Sequence, residues 1–157
     1  SARAHTHLGA SYRGRSGELT AEPEQRDAYL RKAEKALRVA AGHDPGYAPT
    51  QFDMGILFLD ADPFPGIDII PRYQAAMKYL NEFKRIMGPS LKAGDPVEEY
   101  LAAAEKAIDR ETKRLEKKKK RDEDKKKKDA EKAEAEAQKA AEAVAQPASQ
   151  PSEGGSP

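Results

Sequence analysis

The chain has 157 residues, 35% of them charged, with a formal net charge of +1 and no cysteine. The lack of cysteine excludes disulfides and thiolate chemistry, and the near-neutral balance argues against a general nucleic-acid binder. No run is apolar for long enough to span a bilayer: the densest, Met54 to Leu59, is six residues.

Composition divides the chain unevenly. Residues 1–104 carry 13 basic and 14 acidic side chains and nearly all the large apolar ones, whereas residues 105–157 carry 15 basic and 13 acidic with little apolar beyond Leu115. Only the first part can bury a core. The expected organisation is a folded domain over 1–116, a charged Lys/Glu/Ala-rich extension over 117–145, and a Pro/Ser/Gly-rich tail over 146–157 expected to be disordered. The opening Ser1-Ala2-Arg3-Ala4-His5 reads as the interior of a helix, with neither an initiator methionine nor a signal peptide. It is expected to be a fragment of a longer protein whose targeting information lies upstream.

Helix one is expected over Ala2–Tyr12, followed by a polar loop from Gly14 to Thr20, with Thr20 as N-cap of the next helix. Helix two is expected over Ala21–Ala41, where Tyr29, Ala33, Ala36, Leu37 and Ala40 recur at three- and four-residue steps and Gly42 is placed to end it. Asp44-Pro45 punctuates the chain, and helix three follows over Pro49–Leu59. The loop from Asp60 to Asp68 holds three acids, two prolines and an exposed-looking Phe64. Helix four is expected over Pro71–Met87 with a stripe of Ala76, Leu80, Phe83 and Met87, closed by Gly88-Pro89.

Asp95-Pro96 is a strong helix start, with Glu98 in reach of the cap. Helix five then places Val97, Tyr100, Leu101, Ala104 and Ile108 on one face, the natural cover for the hairpin before it. Beyond Leu115 helix-favouring residues continue, and Asp122/Lys126, Glu123/Lys127 and Asp124/Lys128 are spaced for i, i+4 support. The lysine runs 117–120 and 125–128 repel internally. A solvated helix and a disordered segment are both open for 117–145.

Two segments share a grammar. Leu8-Gly9-x-x-Tyr12 and Met54-Gly55-x-x-Phe58 each hold a large apolar residue, a glycine and an aromatic, 46 residues apart. Such a glycine fits a helix that another helix approaches closely. With Ala33, Ala36 and Leu37, the Asp44-Pro45-x-Tyr47-Ala48 junction, Ala76-x-x-x-Leu80 and Pro89, these residues resemble the tetratricopeptide repeat (TPR). His5 and Gln51 stand where the repeat has tryptophan, and the 46-residue period exceeds the usual 34. The resemblance covers residues 2–108 and implies stacked antiparallel helical hairpins, here two elaborated repeats over 2–45 and 46–89, with a capping helix from 96. The run Met54 to Asp68, with Tyr79-Leu80-Asn81-Glu82-Phe83-Lys84, is also similar to TPR lipoproteins of myxobacterial gliding-motility machinery. That similarity implies a periplasmic or outer-membrane-associated subunit; without it, a cytoplasmic protein is expected.

In this family the inner surface comes from the first helix of each pair, which implies a partner groove of Arg3, Thr6, Ala10, Arg13, Phe52, Ile56 and Leu59. An apolar floor edged by two arginines suits a peptide with an acidic flank; alternatively Phe52, Ile56 and Leu59 pack against neighbouring helices. The loop offers Asp62, Phe64 and Ile67 to a partner, or tucks Phe64 and Ile67 back onto helices three and four.

No metal, cofactor, small-molecule substrate or catalytic residue is expected. Asp60, Asp62 and Asp68 lack the layout of a calcium loop, and His5 and His7 point away from each other on a helix. Ser11 and Ser16 have no identifiable base. The expected function is a non-catalytic scaffold in a multiprotein assembly, a cell-envelope motility complex by resemblance, whose partners are its other subunits. The rival places function in the extension. Residues 105–128 hold 13 basic and 7 acidic groups, an electrostatic tether for an anionic membrane or, with no aromatic for base stacking, less suitably nucleic acid. A lost N-terminal anchor is the other route to a membrane.

Overall fold

A computed structural model describes residues 1–146 and 154–157. The described residues are all-α: α1 (Ala2–Glu18), α2 (Pro23–His43), α3 (Ala48–Asp60), α4 (Ile69–Met87), a 3-10 turn at Gly88–Ser90, and α5 (Val97–Ala145). They divide into two compact units, Ser1–Lys113 and Arg114–Pro157.

Within the first unit, α1 packs chiefly on α2 and α3 on α4, while α3 also meets both α1 and α2. One core cluster joins Leu30, Ala33 and Leu37 of α2 to Met54, Leu57 and Phe58 of α3 and Ala76 of α4. A second joins Ala48 and Ile56 of α3, Leu80 and Phe83 of α4, and Val97 and Leu101 of α5. The start of α5 thus meets α3 and α4 through Val97 and Leu101, while Tyr100 and Ile108 of its apolar series are half-buried. Asp95 accepts a hydrogen bond from the Val97 N–H (2.9 Å), satisfying one of the orphan donors of the first turn. Glu98 does not return to that cap; it pairs with Lys84 of α4.

The two repeated glycines lie where chains approach. A Cβ on Gly9 would sit 2.6 Å from Leu37 Cγ, and one on Gly55 would sit 2.6 Å from Leu80 Cγ. Both distances are far inside van der Waals contact, so only glycine admits these leucines without displacement.

Several boundaries differ from those expected. α1 runs on through Gly14 and Gly17 to Glu18, because Ser16 and Leu19 are buried at its end and Arg15 pairs with Glu18 (2.6 Å). Burial there outweighs the low helix propensity of two glycines. Thr20 does not cap α2; Glu22 precedes it without a side-chain cap bond, and Gly42 lies inside its last turn. Leu30 belongs to the buried face of α2, with Tyr29 beside it at the edge.

The loop after α3 differs most. Pro65 and Gly66 form the centre of a tight turn in which the Ile67 N–H donates to the Phe64 carbonyl (3.3 Å) and Gly66 has φ +78°. Proline followed by a positive-φ glycine is the signature of a type II turn. It swings Phe64 inward, with ring centroids 5.0 Å from Phe58.

The second unit consists of α5 from Arg114 to Ala145, with every one of those residues exposed, and residues 154–157 without regular structure. Residues 147–153 of the tail expected to be disordered lie outside the described residues. None of the three acid–lysine pairs at i, i+4 closes to an ion pair; for fully exposed side chains the entropy of holding both in place offsets a weak attraction.

Candidate protein-interaction surface

The residues expected to line a groove are not placed alike. Thr6 is buried: its hydroxyl reaches the Ala2 carbonyl (2.9 Å) and the Thr50 hydroxyl (2.8 Å), locking α1 against α3. Ile56 is 7% exposed and belongs to the core under α5. Phe52 is half-buried, 5.1 Å from the Phe83 ring and 6.1 Å from that of Tyr100, and Leu59 is half-buried between the two core clusters. An apolar floor is therefore corrected to a packed one: α5 and α4 take these side chains.

What α1 and α3 present beside these residues is mostly polar. Arg3 and His7 are exposed, Ala10 and Arg13 half-buried, and from α3 come Asp53, half-buried, and Asp60, exposed. Arg13 lies 3.5 Å from Asp60, so one of the two arginines expected to receive an acidic flank already faces a carboxylate. Burial pushes the Asp53 carboxyl above its ordinary value, opposed by the nearby charges of Arg13 and His7. His7 and Asp53 are 46 residues apart, the repeat offset. Projecting the repeat onto α3 would have found Asp53 in the sequence.

The sign for stability follows from the raised carboxyl. Ionised Asp53 costs stability above its folded pKa, and that cost is relieved as pH falls through the folded value towards the unfolded one. Asp53→Asn is accordingly expected to raise the thermal midpoint at pH 7 and to leave it unchanged once both forms are protonated in acid. A midpoint lowered at pH 7 would show that the attraction to Arg13 and His7 outweighs burial.

The loop residues are placed as follows. Phe64 is 3% exposed and unavailable to a partner, which corrects its expected exposure. Ile67 is half-buried against the same core. Asp62 is exposed, 3.5 Å from the guanidinium of Arg72. Arg26 donates to the Pro63 carbonyl (2.8 Å), pinning the loop to α2.

Arg72 is the residue that sequence reasoning missed. It is 1% exposed, and its guanidinium donates to the carbonyls of Phe58 (2.9 Å) and Leu59 (3.1 Å) in the last turn of α3. A cation there satisfies carbonyls that the helix leaves orphaned and complements the helix dipole.

Among the described residues no group of three or more His, Cys, Asp or Glu side chains is placed to hold a metal ion. No described helix is long and apolar enough to cross a membrane. No family model, curated protein or solved structure matches this chain.

Proposed function

We propose that the chain is a non-catalytic scaffold built from two stacked TPR-like hairpins and a capping helix, and that it binds segments of partner proteins in a multiprotein assembly. The observation that carries this reading is the duplicated close approach, Gly9 to Leu37 and Gly55 to Leu80. Two hairpins with the same internal contact, one stacked on the next, form a repeat architecture, and such architectures expose extended binding surfaces. The inner surface of α1 and α3 suits a mixed-charge segment: Arg3 receives an acid, and Asp53, whose charge is unfavourably buried, receives a base. A place in a cell-envelope motility complex is part of the proposal and rests on the sequence similarity alone.

The test is selection of phage-displayed peptides on the full chain, then titration of the selected peptides against variants. Binding is expected to fall at least tenfold in Ala10→Glu and to persist when Lys117 to Lys120 are all replaced by glutamine. The rival reading, an electrostatic tether, draws on the exposed basic excess of residues 105–128. It predicts the reverse: indifference to Ala10→Glu, and loss with the four glutamines or with added salt.

A further inference from the structure

The outer side of the first hairpin is apolar and open. His5, Leu8 and Tyr12 of α1 and Lys32, Lys35, Ala36 and Val39 of α2 line a depression of about 340 Å³. Leu8 is 43% and Val39 39% exposed, two of the few large apolar side chains of the first unit left in water. The α1 positions Leu8 and Tyr12 have buried counterparts in α3. Leu8 corresponds to Met54 and Tyr12 to Phe58, at 2% and 1% exposure, and these two lie in one buried cluster with Leu30, Ala33 and Leu37 of α2, Ala76 of α4 and Phe64. The α2 members of that cluster, aliphatic and small at i, i+3 and i+7, give the pattern of a helix suited to such a surface.

The charge around the depression narrows the choice. Arg31, Lys32 and Lys35 are exposed and have no carboxylate partner within the described residues, while Glu34, the acid between them, is held by Arg38 at 2.6 Å. Lys32 lies over the rings of Tyr12 (5.9 Å) and Tyr29 (5.0 Å), at the edge of the apolar surface. A second copy of this chain is poorly suited: face to face it brings the same basic rim, and its own Leu30, Ala33 and Leu37 are already buried in the core.

We infer that the outer face of α1 and α2 docks an amphipathic helix of another protein, aliphatic at i, i+3 and i+7 and flanked by acidic residues. The inference rests on the repeat reading above but concerns a separate surface from the inner one. Rim charges would set the association rate and its salt dependence, and Leu8 and Val39 the lifetime of the complex.

The probe is a synthetic peptide of residues 23–43 carrying Arg31→Glu, Lys32→Glu and Lys35→Glu, which keeps Leu30, Ala33 and Leu37 and supplies an acidic flank. Titrated against the full chain by fluorescence anisotropy, it is expected to bind, at least tenfold more weakly to Leu8→Glu, and several-fold more weakly to Lys35→Glu. Leu8 is exposed, so Leu8→Glu should keep the wild-type thermal midpoint; a second variant, Val39→Glu, should give the same loss. Ala10→Glu should bind the probe normally, whatever becomes of the inner-surface reading. No binding, equal binding to Leu8→Glu and Val39→Glu, or loss only in Ala10→Glu would overturn the inference. So would a dimer in sedimentation equilibrium that Leu8→Glu dissolves, since the occupant would then be a second copy.

Discussion

Arg72→Ala is expected to lower the stability of the first unit by about 3–5 kcal/mol, a large share of the roughly 5–15 kcal/mol typical of a domain. Arg72 has the largest of the fully buried side chains, so its truncation leaves a cavity. It also takes the donors from the Phe58 and Leu59 carbonyls at the end of α3; hydrogen bonds to a charged donor are worth about 1.5–3 kcal/mol each. Asp62 contributes little to this total. Its side chain is 67% exposed, and at 3.5 Å the second guanidinium nitrogen has no hydrogen-bond acceptor. Asp62→Asn should therefore cost less than about 1 kcal/mol. Arg72→Met separates the two causes, because it restores volume without donors. If chemical denaturation shows Arg72→Met within about 1 kcal/mol of wild type, packing accounts for the effect and the carbonyl contacts do not. Arg72→Lys should recover less than half, since a single ammonium replaces a planar fork.

The helices were legible because their signals are local: Asp95-Pro96 starts α5, and apolar residues recur at helical steps along α2, α4 and α5. The Gly9 and Gly55 contacts were legible because a motif repeated at a fixed offset constrains packing as well as secondary structure. Arg72 was not. An arginine one residue after a proline near a helix start reads as surface, and only the three-dimensional return of α4 past the end of α3 brings it to the carbonyls. Phe64 was misread for a related reason. Flanked by prolines and acids it reads as exposed, yet Pro65-Gly66 fixes the turn that delivers it to Phe58. The groove was misread where α5 competes for the same side chains: Phe52 and Ile56 are on α3, but the start of α5 and α4 pack against them.

Gly55→Ala should destabilise by about 2 kcal/mol although alanine is the better helix former by about 1 kcal/mol. The added methyl would stand 2.6 Å from Leu80 Cγ, 2.7 Å from Cδ2 and 3.3 Å from the Leu80 backbone nitrogen. Rotating the leucine cannot relieve the last contact, so α4 must move away from α3 and loosen both clusters. Leu80→Ala alone should cost about 2–5 kcal/mol, as for other fully buried leucines. The double variant is the informative one. With Leu80 shortened, the new methyl enters vacated space, so Gly55→Ala should become neutral or stabilising, a coupling of about 2–3 kcal/mol. Gly9 and Leu37 should give a similar cycle, because a leucine Cγ again stands 2.6 Å from the added methyl. Gly14→Ala is the internal control: it lies within α1 with nothing in reach of its Cβ, and should stabilise by about 0.5–1 kcal/mol. If urea denaturation shows Gly55→Ala and Gly14→Ala shifting stability alike, the close approach is absent and the two hairpins are not built on a common contact. The opposite sign at the two glycines, with coupling of similar size in both cycles, would mean that a single helix-pair geometry was used twice, which is the physical content of calling the domain a repeat.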